Sequence, residues 1–200
     1  EVLRALVQGG GREARAPGLS PFRGLRPFQE QHADLFCGRD DEVGTVLELL
    51  REEPVLPVVG PSGAGKTSLV LAGVIPRLRE QGQWTVLQLR PGDRPFNALA
   101  ACITPALGDE EEPPDPTGTQ DTQSLEQLTS ATLRREIALE QQLLHQPQLL
   151  PLLLEQVAAR RGGKVLLFVN QLEELFTLTS DVQTRRSFVQ ALTQGADDPG

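Results

Sequence analysis

The residues best suited to chemistry form one short segment, residues 60–67, with the sequence GPSGAGKT. It matches the pattern G-x-x-x-x-G-K-[ST] at every fixed position, and such a loop surrounds phosphate oxygens with successive backbone N–H groups. We expect Lys66 to reach the β- and γ-phosphates as a point charge and the Thr67 hydroxyl to hold Mg²⁺. The implied ligand is a nucleoside triphosphate.

Glycine makes such a loop possible, because Gly60, Gly63 and Gly65 can adopt positive φ and allow a ligand to approach the backbone closely. The helix that follows adds the partial positive charge of its N-terminus. The residues predicted to contact the nucleotide are Gly60, Pro61, Ser62, Gly63, Ala64, Gly65, Lys66, Thr67 and Ser68.

The segments on either side of the loop have the apolar patterns of the strand and the helix that flank a phosphate-binding loop. The apolar run at residues 55–59, VLPVV, precedes the loop as a predicted strand. Residues 68–80, SLVLAGVIPRLRE, follow as its predicted helix, with an apolar stripe that includes Leu69 and Val70. The alternative is a glycine-rich turn without a ligand, and the flanking strand and helix favour the phosphate loop.

A second candidate element follows the apolar run KVLLFV at residues 164–169, which predicts a strand of a parallel sheet covered on both faces. Phosphoryl transfer to water needs a metal anchor and a group that orients the water, and the carboxyl end of a neighbouring strand is a suitable place for both. We assign Asn170 as a second magnesium contact beside Thr67. Glu173 and Glu174 are the candidate catalytic residues: Glu173 to activate water, and Glu174 to point away or brace nearby arginines. The alternative is that both glutamates merely begin a surface helix.

The remaining elements follow from periodicity and turn signals. Asp40 is a plausible N-cap of a helix that ends before Pro54, and His32 is expected to be a surface or capping residue. Arg39 is either a solvated loop charge or a nucleotide contact. Further predicted elements are a strand at 84–89, an RPGD turn at 90–93, a helix at 94–107, an acidic, proline-rich surface excursion at 108–124, helical pieces within 125–161 broken near Pro147 and Pro151, and a helix at 187–194.

Composition narrows the function classes. The 200 residues are 38% hydrophobic and 23% charged, as in an ordinary soluble globular domain. A net charge of −8 argues against a broad nucleic-acid footprint, which needs clustered positive charge. No apolar run approaches the roughly 20 residues that span a bilayer. Two cysteines are too few for a disulfide framework or a zinc site, so a reducing cytoplasm is the simplest compartment.

Several linked motifs together resemble a known family. They are FRGLRPF at residues 22–28, FCGRD at 36–40, the loop with its helix, the RPGD turn and NQLEELF at 170–176. This set is similar to the novel STAND NTPases, which are AAA-related P-loop ATPases of signal-transduction and defence proteins, often placed between an effector domain and a repeat-built sensor. The resemblance covers residue 20 to the end.

The resemblance carries expectations about fold, ligand and partners. It implies a three-layer α/β P-loop NTPase fold with a parallel sheet, and an ATP/ADP switch with Mg²⁺ that couples nucleotide state to self-association. It also implies that Gly38 and Arg39 lie near the adenine side. Residues 1–19 are then a linker from an upstream effector domain. Residues 20–200 are the N-terminal part of the NTPase domain, which stops before the sensor strand, the lid and a downstream repeat sensor.

One departure from the family pattern affects the chemistry. The family has DQFEELF where this chain has NQLEELF, so Asn170 replaces an aspartate. Asn170 can still accept a hydrogen bond but brings no charge to Mg²⁺. We therefore expect nucleotide binding with weak turnover. The alternatives are a hydrolysis-deficient, nucleotide-locked scaffold module and, with less support, a P-loop kinase acting on a small molecule.

Overall fold

The computed structural model describes residue 24, residues 26–108 and residues 122–194, without the side chains of 122–129. The expected linker at 1–19, most of the acidic excursion and the C-terminal loop at 195–200 lie outside the described residues. Within them, no helix is both long enough and apolar enough to cross a membrane.

The elements follow the chain in this order. The helices are α1 (Asp40–Glu52), α2 (Lys66–Ser68, continued by a π-helical segment Leu69–Val74 and by Ile75–Gln81), α3 (Pro95–Leu107), α4 (Thr122–His145), α5 (Leu150–Arg161), α6 (Glu174–Thr177) and α7 (Val182–Thr193). The strands are β1 (Trp84–Leu89) and β2 (Lys164–Val169), and 3₁₀ turns occupy Glu30–Leu35 and Pro147–Leu149.

The two strands pair in parallel, from Trp84 opposite Lys164 to Leu89 opposite Val169. This confirms two of the three predicted strands and an α/β arrangement with a small parallel sheet. The expectation that β2 is covered on both faces was wrong for the described residues, because its apolar residues 165–169 are only half-buried. Its carboxyl end nevertheless lies beside the end of β1, since the Asn170 N–H donates to the Leu89 carbonyl at 2.8 Å.

The predicted strand before the phosphate loop does not form. Residues 55–59 have no ladder partner among the described residues. Leu56 and Val58 are half-buried while Val59 is 90% exposed, which is the alternation of an extended chain. A strand needs backbone partners, and Pro57 in addition offers no N–H to a ladder.

The predicted helix after the loop is confirmed, with an earlier start and an unexpected winding. In the π-helical segment the Ile75 N–H bonds to the Val70 carbonyl, five residues back. Pro76 has no N–H with which to close an α-helical bond to Ala72, so the wider winding accommodates it. All six residues of the segment are buried.

Helix α2 packs closely on α1 through a glycine. A Cβ built on Gly73 would lie 2.6 Å from Val43 Cγ2 and 3.1 Å from Phe36 Cε1. Val43, Leu47, Leu69, Val74 and Leu78 form the core between the two helices. A larger core joins α3, α4, α5 and α7 against the sheet and includes an edge-to-face pair of Phe96 and Phe188, 5.5 Å between ring centroids.

The segment before α1 packs onto the body, since Phe36 packs against the core between α1 and α2 and the Phe28 N–H donates to Ser68 Oγ. The Phe28 and Phe36 ring centroids are 6.2 Å apart. His32 lies between them in sequence, and the prediction of a surface position was wrong, because the residue is 2% exposed. Its capping role is confirmed, since His32 Nδ1 accepts from the Gln29 N–H at 3.0 Å in a capping box. The aromatic neighbours explain the burial.

Several boundaries differ from the predicted ones. Arg39, not Asp40, is the N-cap residue of α1, and α4 begins at Thr122, inside the predicted excursion. Helix α7 begins five residues before the predicted 187, because Asp181 caps it by accepting from the Thr184 N–H at 2.7 Å. The breaks near Pro147 and Pro151 are confirmed, since both prolines lie in the first turn of a helical element.

We expect Gly73→Ala to lower the free energy of unfolding by about 1–3 kcal/mol, because the new methyl group overpacks the contact with Val43. Gly44, in the interior of α1, is the matched control, since a Cβ there would meet nothing within 4 Å. Gly44→Ala should stabilise the protein by about 0.5–1 kcal/mol through helix propensity. Urea unfolding of both variants measures this, and equal effects would contradict the packing described.

Candidate phosphate-binding site

The loop at residues 60–67 has the backbone of an anion-binding turn. Gly63 and Gly65 both have φ of +79°, which L side chains rarely adopt. Gly60 is not among the residues with positive φ, so only two of the three loop glycines use the conformation that glycine allows. The Ala64 N–H closes the loop on the Pro61 carbonyl at 3.2 Å, and residues 60–64 are exposed. The loop therefore stands open to solvent at the start of α2.

The ammonium group of Lys66 lies across this loop. Its Nζ donates to the Gly60 carbonyl at 2.7 Å and to the Pro61 carbonyl at 3.0 Å. The charge is thus held at the N-terminal end of α2, where the helix dipole also favours anions. Phosphate oxygens are stronger acceptors for an ammonium than neutral carbonyls, so a polyphosphate can compete for Lys66.

The two chemical elements predicted from sequence meet directly. Thr67 Oγ1 donates to Asn170 Oδ1 at 3.0 Å across 103 residues of chain. The end of β2 is therefore adjacent to the first turn of α2. The contact presents a hydroxyl oxygen and an amide oxygen side by side. Mg²⁺ can bind both kinds of oxygen as ligands, and neither side chain carries a charge.

The two glutamates have different surroundings. Glu174 is paired with Arg90, and only 17% of its side chain is exposed. Glu173 is the exposed N-cap of α6, and its carboxylate makes no hydrogen bond to another described residue. Between Asn170 and Glu173 the chain turns through Gln171, a non-glycine residue with φ of +58°. Left-handed backbone at such a residue costs energy and is concentrated at functional sites.

The RPGD turn is held to this region by the Arg90–Glu174 pair, which fits the predicted bracing of an arginine by Glu174, and by further contacts that the sequence did not reveal. Besides the Arg90 pair, Thr179 Oγ1 donates to the Gly92 carbonyl at 3.0 Å, and Thr179 is buried. The N-cap residue of α3, Arg94, donates to Glu140 of α4 at 2.8 Å. The sequence had indicated turn chemistry for Arg90, with a position facing the nucleotide as the alternative, and no local pattern marks Thr179 or Glu140.

Arg39 lies at the loop. Its Nη1 donates to the Ala64 carbonyl at 2.9 Å and its Nε to Glu42 at 3.1 Å. The pKa of the Glu42 carboxyl is lowered, first by a hydrogen bond from its own backbone amide and then by Arg39. Gly38, with φ of +79°, makes the turn that leads into Arg39. The solvated-charge alternative for Arg39 thus gives way to a specific contact.

Ser68 connects the site to the N-terminal segment. Its Oγ accepts the Phe28 N–H at 3.0 Å, so this hydroxyl is engaged within the protein. Its own N–H belongs to the first turn of α2, where amides have no helical partner and can face an anion. The phosphate loop, the first turn of α2 and the segment before α1 therefore share contacts.

Other kinds of site find little support in the described part of the chain. It contains no group of three or more His, Cys, Asp or Glu side chains that could hold a metal ion. Cys37 and Cys102 are both free thiols, and burial raises the pKa of Cys102. The magnesium site predicted at Thr67 and Asn170 is of a different kind, because phosphate oxygens and water supply most ligands in such a site.

A glycine-rich loop at the start of a helix, joined to the end of a parallel strand, defines an α/β protein with a P-loop. Comparison with family models agrees: the model described as Novel STAND NTPase 1 matches residues 21–199. The chain belongs to this family and is a nucleotide-binding module of the STAND class. Comparisons with curated proteins and with solved structures gave no match.

We expect Arg90 and Glu174 to stabilise each other by about 1 kcal/mol, because Glu174 is largely buried while solvent screens the 56% exposed Arg90. A double-mutant cycle of Arg90→Gln and Glu174→Gln in urea unfolding measures this coupling. The pair of Arg79 and Glu30, in which both side chains are almost half exposed, is the control and should couple less. Equal coupling in the two cycles would contradict the structural role of the Arg90 pair.

Proposed function

We propose that the protein is an ATP/ADP-binding switch module of a cytoplasmic, multidomain signalling or defence protein. In this proposal, nucleotide state controls conformation and self-association, and an upstream effector and a downstream repeat sensor act in the same chain. The observation that carries the proposal is the contact between Thr67 and Asn170. It brings the two elements that the sequence predicts for phosphoryl transfer into one site.

Binding of the polyphosphate rests on three features of the loop. The positive φ of Gly63 and Gly65 opens the backbone for close approach. The amides at the start of α2 supply donors, and Lys66 supplies the charge once phosphate replaces the loop carbonyls. Each feature recognises phosphate rather than the base, so preference for ATP or GTP is set elsewhere. Of Gly38 and Arg39, which the family resemblance implies for the adenine side, Gly38 is the candidate residue for contact with the base.

Thr67 and Asn170 are the residues that would hold Mg²⁺. The ion, when bound, would neutralise the charge on the β- and γ-phosphates. Glu173, exposed and without a partner among the described residues, accepts the proton of the attacking water. Glu174 stays with Arg90 and holds α6 in place. The neutral Asn170 leaves the metal with one negative ligand fewer than an aspartate would, so turnover is slow.

We expect Lys66→Ala to weaken ATP and ADP binding at least ten-fold, because it removes the one ammonium at the loop. Isothermal titration calorimetry with Mg²⁺ present measures the change. Lys164→Ala is the matched control, since Lys164 is the chain's other lysine and lies at the far end of β2. Absence of ATP and ADP binding in the unchanged protein, with no effect of Lys66→Ala, would overturn the proposed function.

We expect Asn170→Asp to raise ATP turnover by roughly ten-fold or more, because a carboxylate adds charge where transition-state charge is neutralised. Phosphate release is compared in the unchanged protein and in Asn170→Asp. Asn170→Ala is the control, which loses the hydrogen bond to Thr67 without gaining charge and should not gain activity. Equal turnover in the unchanged protein and Asn170→Asp would refute the role assigned to Asn170.

Asn170 also favours a second candidate function, a nucleotide-locked scaffold module without hydrolysis. Nucleotide-dependent assembly without phosphate release would support it over the switch. A small-molecule kinase has less support, since α6 and the NQLEELF segment occupy the position after β2. Phosphate release without an added acceptor would exclude the kinase.

A further inference from the structure

The side chain of Arg39 reaches the phosphate loop from outside it. It extends from the N-terminus of α1, and its guanidinium donates to the Ala64 carbonyl at 2.9 Å. The same group lies against the next residue, since a Cβ built on Gly65 would be 3.4 Å from Arg39 Nη1. Both distances place the guanidinium at the peptide that joins Ala64 to Gly65.

The orientation of that peptide decides what the loop offers a ligand. In a trans peptide the C=O and the following N–H point in opposite directions. Because the Ala64 carbonyl is turned toward Arg39, the Gly65 N–H is turned away from it. A carbonyl pointing into an anion site would repel phosphate, whereas an N–H binds it.

The orientation of this peptide has to be fixed by a contact from outside the loop. Ala64 is flanked by Gly63 and Gly65, both at φ of +79°, and glycine occupies several backbone regions at similar energy. The loop is exposed, so packing does not fix it. A hydrogen bond from a guanidinium is among the stronger ones available, and Glu42 fixes the guanidinium in turn through Arg39 Nε at 3.1 Å.

We propose that Arg39 is a positioning residue of the phosphate loop, which holds the Ala64–Gly65 peptide with its N–H toward the polyphosphate. This rests on the proposed function and deepens it. Arg39 acts on the recognition of phosphate and does not select the base. This assignment differs from the expected position of Arg39 at the adenine side, and the two roles make opposite predictions for a ligand that has no base.

The test compares ATP with inorganic tripolyphosphate, each titrated calorimetrically with Mg²⁺ into the unchanged protein, Arg39→Met and Arg39→Lys. Methionine keeps much of the length without a donor, and lysine keeps the charge but cannot bond Ala64 and Glu42 with the same planar group. We expect Arg39→Met to weaken both ligands by the same factor, roughly ten-fold or more. Arg39→Lys should recover part of the loss for both.

Arg51→Met is the matched control. Arg51 also belongs to α1 and carries the same charge, but its guanidinium donates to Gln81 Oε1 at 3.0 Å, at the other end of α2. It should change both affinities less than about two-fold, as expected for a screened surface charge. A comparable loss in Arg51→Met would show a general charge effect and overturn the positioning role.

The remaining outcomes also decide the matter. If Arg39→Met weakens ATP while tripolyphosphate binding is unchanged, Arg39 contacts the nucleoside and the proposal is wrong. Unchanged affinity for both ligands overturns it as well. If the unchanged protein binds neither ligand, the proposed function fails together with this inference. If the unchanged protein binds both ligands, the proposed function stands and the Arg39 variants test this inference alone.

Discussion

The hydrogen bond from Thr67 to Asn170 is the contact on which the arrangement of the site depends. It joins the first turn of the helix after the phosphate loop to the end of the second strand. Each side is fixed by other forces, Thr67 by the buried helix behind it and Asn170 by its backbone bond to Leu89. Because both residues are fixed in this way, their hydrogen bond can keep the two side-chain oxygens in place. Exposed side chains without such support would move.

A series of polar contacts continues from this site along the carboxyl edge of the sheet. Asn170 lies at the phosphate loop, Arg90 holds Glu174 just beyond it, and Thr179 bonds to Gly92. The turn after β1 and the segment after β2 are therefore fastened along their length. A change at the loop would therefore meet connected backbone rather than loose turns.

The opposite side of the loop is held by the segment before α1 and by α1 itself. Phe28 donates to Ser68, Arg39 bonds the loop carbonyl, and Arg77 of α2 pairs with Asp40 of α1. These contacts connect the phosphate site to the N-terminal side of the domain. The two helices pack so closely at Gly73 that a Cβ there would clash with Val43.

The sequence by itself determined the local elements. Fixed spacing identified the loop, alternation and apolar runs identified both strands, and helical periodicity identified α3, because these signals depend on neighbours along the chain. Only the tertiary structure decided that residues 55–59 lack a partner, that His32 is buried and that Arg39 bonds Ala64. Such pairings depend on the path of the chain, which brings together residues 25 to 103 positions apart, and no local pattern records that path.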